Sequence, residues 1–336
     1  MADQSWQKLP QKFLNKLKLI IPPQNIESVL QSFTTIRPTT FRANTLKISA
    51  SDLKIKLKEA GLPFEKVGWR SGAPSSELLP EAFILQDTPQ RVLTENDIYN
   101  QGLVYVQSLS SMIPPLVLDP QPGELILDLT AAPGSKTTQI AALMKNTGQI
   151  IANDKSRVRL FKLEANLKLQ GVTNSQITYL DGKDLWRKYP EYFDKTLVDV
   201  PCSMEGRFLS TYEKSYRDWT EKKVRELSAL QKFLIRAGVT ATKVGGLVVY
   251  STCTISPEEN ESVIDWLLEK EQGKVEVEEI SLGIPESYPA LVSWQGKTYH
   301  PQVKLTLRIL PTALTEGFFV AKLRKVASNK PTKSVL

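Results

Sequence analysis

The pattern of apolar positions changes character near residue 100. Before it, "NIESVLQSF" has the three- and four-residue spacing of a helix. "TTFRANTLKI" reads as a strand, "SASDLKIKLKEAG" as a helix closed by Gly61, and "PFEKVGW" as another strand. Together these predict a small α+β unit over residues 1–100. "GWRSGAPSSELLP" is rich in Gly, Ser and Pro and reads as a loop. From residue 101 onward, short apolar runs alternate with helical patterns. "ELILDLT" leads to "SKTTQIAALMKN", "GQIIAND" to "SRVRLFKLEANLKLQG", and "SQITYLDG" is followed by "TLVDVPC". The long helical pattern "VRELSALQKFLIRAGVTATK" then precedes "GGLVVYSTC". In "SPEENESVIDWLLEKE", Ser256 stands as N-cap with Pro257 in the first turn and Glu259 three residues on, the pattern of a capping box.

Strands that read as unbroken apolar runs are buried on both faces. Their alternation with helices predicts a doubly wound, mostly parallel sheet. The last segments, "KVEVEEISL", "VKLTLRILP" and "GFFVAKLRKV", read as strands without full helices between them, so an antiparallel edge is expected. The expected organisation is an N-terminal unit over 1–100, a larger α/β domain over 101–326 and a basic tail over 327–336. No internal repeat or low-complexity tract interrupts it.

Composition narrows the class. With 41% hydrophobic and 24% charged residues, the 336-residue chain is ordinary globular material. "MADQSWQKLPQKF" lacks the apolar core of a secretory signal, and no segment has the uninterrupted apolar length of a membrane span. Two cysteines cannot build a disulfide framework, so a cytoplasmic location with reduced thiols is expected. The net charge is +7. Residues 1–60 hold ten basic against four acidic residues and 321–336 hold five against none, leaving the middle slightly acidic. Basic ends on such a middle fit a polyanion bound at the periphery, and equally a solvated surface. A monomer without an obligate protein partner is the default.

In open α/β sheets, ligands bind beyond the carboxyl ends of the strands. Here those ends carry Asp128 through Lys136, Asp154, Asp181, Asp199 with Cys202, and Cys253, so all should share one rim. A lone cysteine is usually a small buried hydrophobe. Two of two at strand ends, one after Asp-x-Pro, point instead to chemistry. "DLTAAPGSKT" joins a strand end to a helix start. Its small residues let the backbone approach a ligand, and the helix N-terminus adds positive potential. It is neither a Walker A loop nor G-x-G-x-x-G. Asp154, 20 residues after Gly134, stands where an acid can hold ribose hydroxyls, and Asp181 where an adenine amine would fall. Loop and acids fit an adenosine-bearing cofactor without polyphosphate, a description that S-adenosylmethionine meets. Each aspartate alone is as readily a turn or cap residue. The single histidine, His300, and the lack of a third cysteine speak against a zinc site and against histidine acid–base work.

In order along the chain, "LDLTAAPGSKTTQ", "ANDKSRVR", "TYLDG", "LVDVPCSMEG", "YSTCTISPEENE" and "RILPTALTEGFFVAKL" resemble the successive motifs of the RNA cytosine-C5 methyltransferases of the Nol1/Nop2/Sun family. "GLVYVQSLSSM" resembles the segment leading into the first. The similarity is good over 100–325. It is looser over 1–100, where "FRANTLKI" resembles the family's N-terminal RNA-binding extension. "AAPGSKTTQI" is closest to the bacterial ribosomal-RNA branch. The resemblance implies a seven-stranded methyltransferase sheet, an RNA substrate (ribosomal first, transfer RNA second) and S-adenosylmethionine as cofactor. It implies that Cys253 attacks cytosine C6, that Cys202 assists product release, and that Asp199 and Lys136 engage the target base. Thr130, Ala131, Ala132, Pro133, Gly134, Ser135 and Lys136, with Asp154, Arg159, Asp181 and Asp199, would bind the cofactor.

The chemistry needs such groups. Cytosine C5 is a poor nucleophile toward a sulfonium methyl, and adding a thiolate at C6 makes it enamine-like. A free cysteine is mostly protonated at neutral pH, so a cation such as Lys136 would favour the thiolate. The target base must leave its stack to reach the pocket. Arg37, Arg42, Lys47, Lys54 and Lys58 are candidate phosphate contacts or plain solubilising charges. The chain departs from the family in having Met204 after Pro-Cys-Ser, where glycine is frequent, and Thr130, where cysteine is frequent. It also ends soon after "AKLRKV", so a C-terminal RNA-binding module is not expected. Two other readings stay open: a non-catalytic RNA-binding or assembly factor on the same fold, and methylation of another acceptor. An exocyclic-amine methyltransferase would carry Asn/Asp-Pro-Pro-Tyr where this chain has "DVPC".

Overall fold

The computed structural model describes residues 4–69 and 77–330. Most of the loop expected over 68–80, and residues 331–336 of the expected tail, lie outside them. Helix α1 (Gln11–Ile20) opens the fold. The pattern reading passes over it, although Phe13, Leu14, Leu17 and Ile20 recur on one face and are all buried. With α2 (Ile26–Ser32) it packs on Phe208, Trp219 and Ile255 of the larger domain. The Phe13 and Phe208 rings meet edge-on at 4.9 Å. Burying such a side chain contributes roughly 1.5–3 kcal/mol.

Four antiparallel strands follow: β1 (Thr40–Ala43), β2 (Phe64–Lys66), β3 (Ala82–Leu85) and β4 (Val104–Val106), in the order β2-β3-β1-β4. The fourth strand comes from beyond residue 100, so this sheet and the larger domain share a connected stretch of chain. Helix α3 (Ala50–Glu59) covers it, with Ser49 Oγ accepting the Asp52 N–H as its N-cap and Leu53 and Leu57 packed among Phe41 and Phe83. Two short helices, α4 (Gln90–Thr94) and α5 (Asp97–Asn100), lead into β4, and α6 (Leu109–Leu118) leads out of it.

The large sheet contains β5 (Leu125–Asp128), β6 (Gln149–Asn153), β7 (Ser175–Thr178), β8 (Phe193–Asp199), β9 (Thr242–Thr252), β10 (Val275–Glu278) and β11 (Ser287–Pro289). A two-strand hairpin, β12 (Ser293–Trp294) and β13 (Lys297–Thr298), stands apart, and β14 (Leu307–Ile309) and β15 (Phe318–Lys325) complete the sheet. Seven strands run β14-β15-β9-β8-β5-β6-β7, and the short β10 and β11 extend that seven-stranded frame to nine. Neighbours from β9 to β7 are parallel, while β15 is antiparallel to both β9 and β14, which is the expected antiparallel edge. Helices α7 (Ser135–Leu143), α8 (Arg157–Gln170), α9 (Glu221–Ala241) and α10 (Glu261–Glu271) flank it. Successive strand residues alternate between two cores. Leu127, Val198, Val248 and Tyr250 pack with α9 and α10, whereas Ile126, Leu197 and Val249 pack with α6 and α7. That double burial is why these strands read as unbroken apolar runs.

One local reading is overturned. Helix α10 begins at Glu261 with Asn260 as its N-cap, so Ser256, Pro257 and Glu259 do not form a capping box. Glu259 is drawn away by a buried tertiary partner: its carboxylate accepts the Ser203 N–H at 3.0 Å and the Ser203 hydroxyl. No described helix is long and apolar enough to cross a membrane.

Candidate active site

The carboxyl ends of β5, β8 and β9 open on one cleft of about 600 Å³. Its lining includes Asp128, Thr130, Ala131, Ala132, Pro133, Ser135, Lys136, Arg159, Asp199 and Cys253. The β5–α7 turn forms its floor. Gly134 sits there at φ +110°, and a Cβ would press on Leu163 of α8, so only glycine lets the turn close. Asp128 is buried, and burial pushes its carboxyl up to about 7, although Thr137 Oγ1 donates to it at 2.7 Å.

Lys136 reaches across the cleft from the first turn of α7. Its ammonium donates to Asp199 Oδ2 at 2.6 Å and to Ser111 Oγ at 3.0 Å. Ser251 Oγ donates to Asp199 Oδ1 at 2.7 Å, and Thr130 Oγ1 to the Asp199 carbonyl at 2.6 Å. Asp199 is therefore fixed from both sides at the end of β8. The Lys136 ammonium is thus paired with Asp199 inside the cleft. Arg207, in the turn after Pro-Cys-Ser, is attracted first by Glu316 and also by both sulfurs.

Cys202 and Cys253 come from adjacent strand ends, and their sulfurs lie 3.3 Å apart as free thiols. Gly206 enforces the approach. Its N–H donates to the Cys253 carbonyl at 3.1 Å, and its own carbonyl accepts the Gly317 N–H at 3.1 Å. A Cβ at Gly206 would run into the Gly317 backbone. The bond to Cys253, followed by burial, pushes the Cys202 thiol well up. Met204 holds the left-handed conformation at φ +58°, with its side chain half exposed.

Asp154 ends β6 and is buried. Its Oδ1 accepts the Ser156 N–H at 2.9 Å. Arg159 Nη1 stands 3.1 Å from Oδ2, yet that oxygen has no hydrogen bond. Arg159 also donates to the Ala132 carbonyl of the β5–α7 turn. A buried carboxylate oxygen held only by an ion pair, with Arg159 tying it to the glycine turn, suits a ribose, so the residues present fit S-adenosylmethionine. The cleft lining does not include Gly134, Asp154, Cys202 or Asp181. Gly134 shapes the turn, Asp154 pairs with Arg159, and Cys202 touches Cys253. Asp181 is exposed, with Lys183 Nζ 3.4 Å from its carboxylate.

Two of the expected phosphate contacts are otherwise engaged. Arg42 is buried, donates to Gln107 Oε1 at 2.9 Å and Thr138 Oγ1 at 2.7 Å, and ties the small sheet to α7. Lys47 Nζ donates to the Gln101 and Leu169 carbonyls, both at 2.8 Å. Sequence reasoning missed Ser111, Ser251, Arg207 and Glu316. Ser251 is two residues before Cys253 and Arg207 five after Cys202, so proximity to the thiols was the available signal.

The family model described as 16S rRNA methyltransferase RsmB/F matches residues 115–324. The chain is 42% identical over 296 residues to tRNA (cytosine(49)-C(5))-methyltransferase of Pyrococcus abyssi, covering 87% of this chain and 89% of that one. It is 36% identical over 327 residues to ribosomal RNA small subunit methyltransferase F of Vibrio atlanticus, covering 96% of this chain and 65% of that one. The chain thus spans just under two-thirds of that ribosomal relative's length. A solved methyltransferase homolog protein from Pyrococcus horikoshii superposes with a TM-score of 0.80 at 33% identity, over 96% of this chain and 98% of that one. NSun6 from Pyrococcus horikoshii, solved with SFG, gives 0.75 at 26% identity, over 95% and 99%.

Proposed function

The chain belongs to the RsmB/F family of 16S rRNA methyltransferases, and on that premise we propose that it methylates cytosine C5 in RNA through a covalent Cys253 adduct. The observation that carries this reading is the pair of sulfurs 3.3 Å apart, with Cys253 lining the same cleft as the 130–136 turn. When bound, S-adenosylmethionine supplies an electrophilic methyl group. Cys253 adds to cytosine C6, which turns C5 into a nucleophile. Asp199, held by Lys136, Ser251 and Thr130, orients the polar edge of the base. Once C5 carries the methyl group, its proton passes to solvent and Cys253 leaves as a thiolate, which restores the ring. Cys202 assists that release, since its sulfur stands beside the carbon–sulfur bond that must break. Asp154 and Arg159, with the 130–136 turn, hold the cofactor. Asp181, in the loop after β7, is the partner proposed for the adenine amine.

Ribosomal RNA is the first substrate reading, from the family model and the ribosomal relatives. Transfer RNA is the second, favoured by the higher identity and near-complete coverage of the Pyrococcus abyssi relative. Residues 1–100 add RNA contacts in either case, and the protein works in the cytoplasm as a monomer. Bisulfite sequencing of total RNA from cells with and without the protein tests the proposal. One protein-dependent 5-methylcytosine in ribosomal or transfer RNA is expected, and no difference at any cytosine refutes it.

A further inference from the structure

Four cations line the cleft: Arg37, Lys136, Arg159 and Arg207. Lys136 is matched by Asp199 and Arg159 by Asp154. Arg37 and Arg207 have one carboxylate between them. Glu316 Oε1 lies 3.1 Å from Arg207 Nε, and the same carboxylate attracts Arg37, while the two guanidinium groups oppose each other electrostatically. Ser108 Oγ donates to Glu316 Oε2 at 3.0 Å, which fixes that carboxylate in place. Arg37 is itself anchored, its Nε donating to the Thr312 and Thr315 carbonyls at 3.1 and 2.8 Å. Its Nη2 is buried and has no hydrogen-bond partner. Arg207 stands at the surface of the same cleft, half exposed, in the turn that follows Cys202.

A rigid guanidinium with an unused donor, beside a second guanidinium and only one compensating charge, lacks an anion. Planar donor forks of this kind match phosphate oxygens. Arg37, Arg207 and Cys253 line the same cleft, so an anion held by the two guanidinium groups would lie next to a ring that reaches Cys253. We propose that Arg37 and Arg207 form a phosphate clamp for the RNA backbone of the nucleotide whose base enters the cleft. This rests on the RNA reading above and deepens it. The clamp assigns Arg37 a binding role that Arg42 and Lys47, spent on internal carbonyls and side chains, do not share. It is sequence-independent, because a phosphodiester carries no base identity.

The test is the salt dependence of binding of single-stranded oligocytidylate to the full chain, followed by fluorescence anisotropy. Each phosphate contact to a single strand contributes about 0.7 to the slope of log affinity against log salt. Arg207→Gln and Arg37→Gln should each flatten the slope by up to about that amount, and the double variant by about 0.7 in total, because the two side chains grip one phosphate. Arg207→Lys, which keeps the charge, should retain the wild-type slope. If Arg37→Gln does not fold, Arg207→Gln carries the test, since that side chain is half exposed. An unchanged slope in Arg207→Gln overturns the clamp. So does an unchanged slope accompanied by a shifted pH profile of thiol alkylation, which would make Arg207 a thiolate partner instead. Methyl transfer to RNA is measured on the same wild-type preparation. A flattened slope with no methyl transfer by the wild type keeps the clamp and refutes the catalytic reading. Methyl transfer with an unchanged slope does the reverse.

Discussion

Cys202 Sγ and Cys253 Sγ lie 3.3 Å apart, although 51 residues separate them along the chain. The contact is set by backbone bonds through Gly206, which join the turn after β8 to the end of β9 and to the start of β15. Two sulfurs at that distance cannot both carry charge without strong mutual repulsion. Cys202 is the thiol pushed up by its neighbour, and Cys253 is the one that lines the cleft.

Cys253→Ala should abolish methyl transfer to RNA. Cofactor affinity should stay near the wild-type value, because Asp154, Arg159 and the 130–136 turn are untouched. Radiolabel transfer and an isothermal titration with S-adenosylmethionine check both halves. Substantial residual turnover would move the nucleophile elsewhere.

Cys202→Ala should leave the attack intact and slow the release. The expected result is a covalent protein–RNA complex on a denaturing gel. It should be absent from the Cys202→Ala/Cys253→Ala double variant. Failure to see a complex with a methylatable RNA would remove Cys202 from the release step.

The alternation of apolar runs and helices made the rim legible in the sequence, since strand order and double burial put Asp128, Asp199 and Cys253 at neighbouring carboxyl ends. What escaped depended on tertiary contacts. Ser256 and Glu259 match a local capping pattern, but Ser203, buried and distant in sequence, takes the Glu259 carboxylate instead. Arg42 reads as a free surface charge, yet Gln107 and Thr138 bury it. Arg207 and Glu316 lie in turns without periodicity, where only the folded chain shows which charges meet. Helix α1 is a different case: its apolar face is visible in the sequence, whereas its seat on Phe208 and Trp219 is not.

Asp154→Asn should weaken S-adenosylmethionine binding by at least about tenfold, the worth of one charge-assisted hydrogen bond of roughly 1.5 kcal/mol. The amide can still accept the Ser156 N–H, so the local turn survives. It loses the anionic oxygen that pairs with Arg159 and has no hydrogen bond. Asp154→Ala should lose more, because the turn is also released. Titration calorimetry reads both, and an unchanged affinity in the alanine variant would exclude Asp154 from the cofactor site.

Glu259 supplies a pH test of the scaffold behind the thiols. It is fully buried, and burial, then the neighbouring Glu205, push its carboxyl up to about 7. The folded state therefore binds a proton that the unfolded chain, titrating near 4.5, has released. Stability contributed by the protonated form is complete below about pH 4.5 and is lost as pH rises through about 7. The loss is on the order of 3 kcal/mol at most. Glu259→Gln copies the protonated form. Its oxygen can accept from Ser203 N–H and Gln231 Nε2, and its amide can donate to Ser203 Oγ. Urea unfolding of wild type and variant at pH 5 and pH 8 should show similar stabilities at the lower pH and a more stable variant at the higher. Glu259→Ala should be destabilised at both, because it strands the Ser203 and Gln231 donors. Equal pH dependence in wild type and Glu259→Gln would mean that the Glu259 carboxylate is already charged in the folded protein at pH 5.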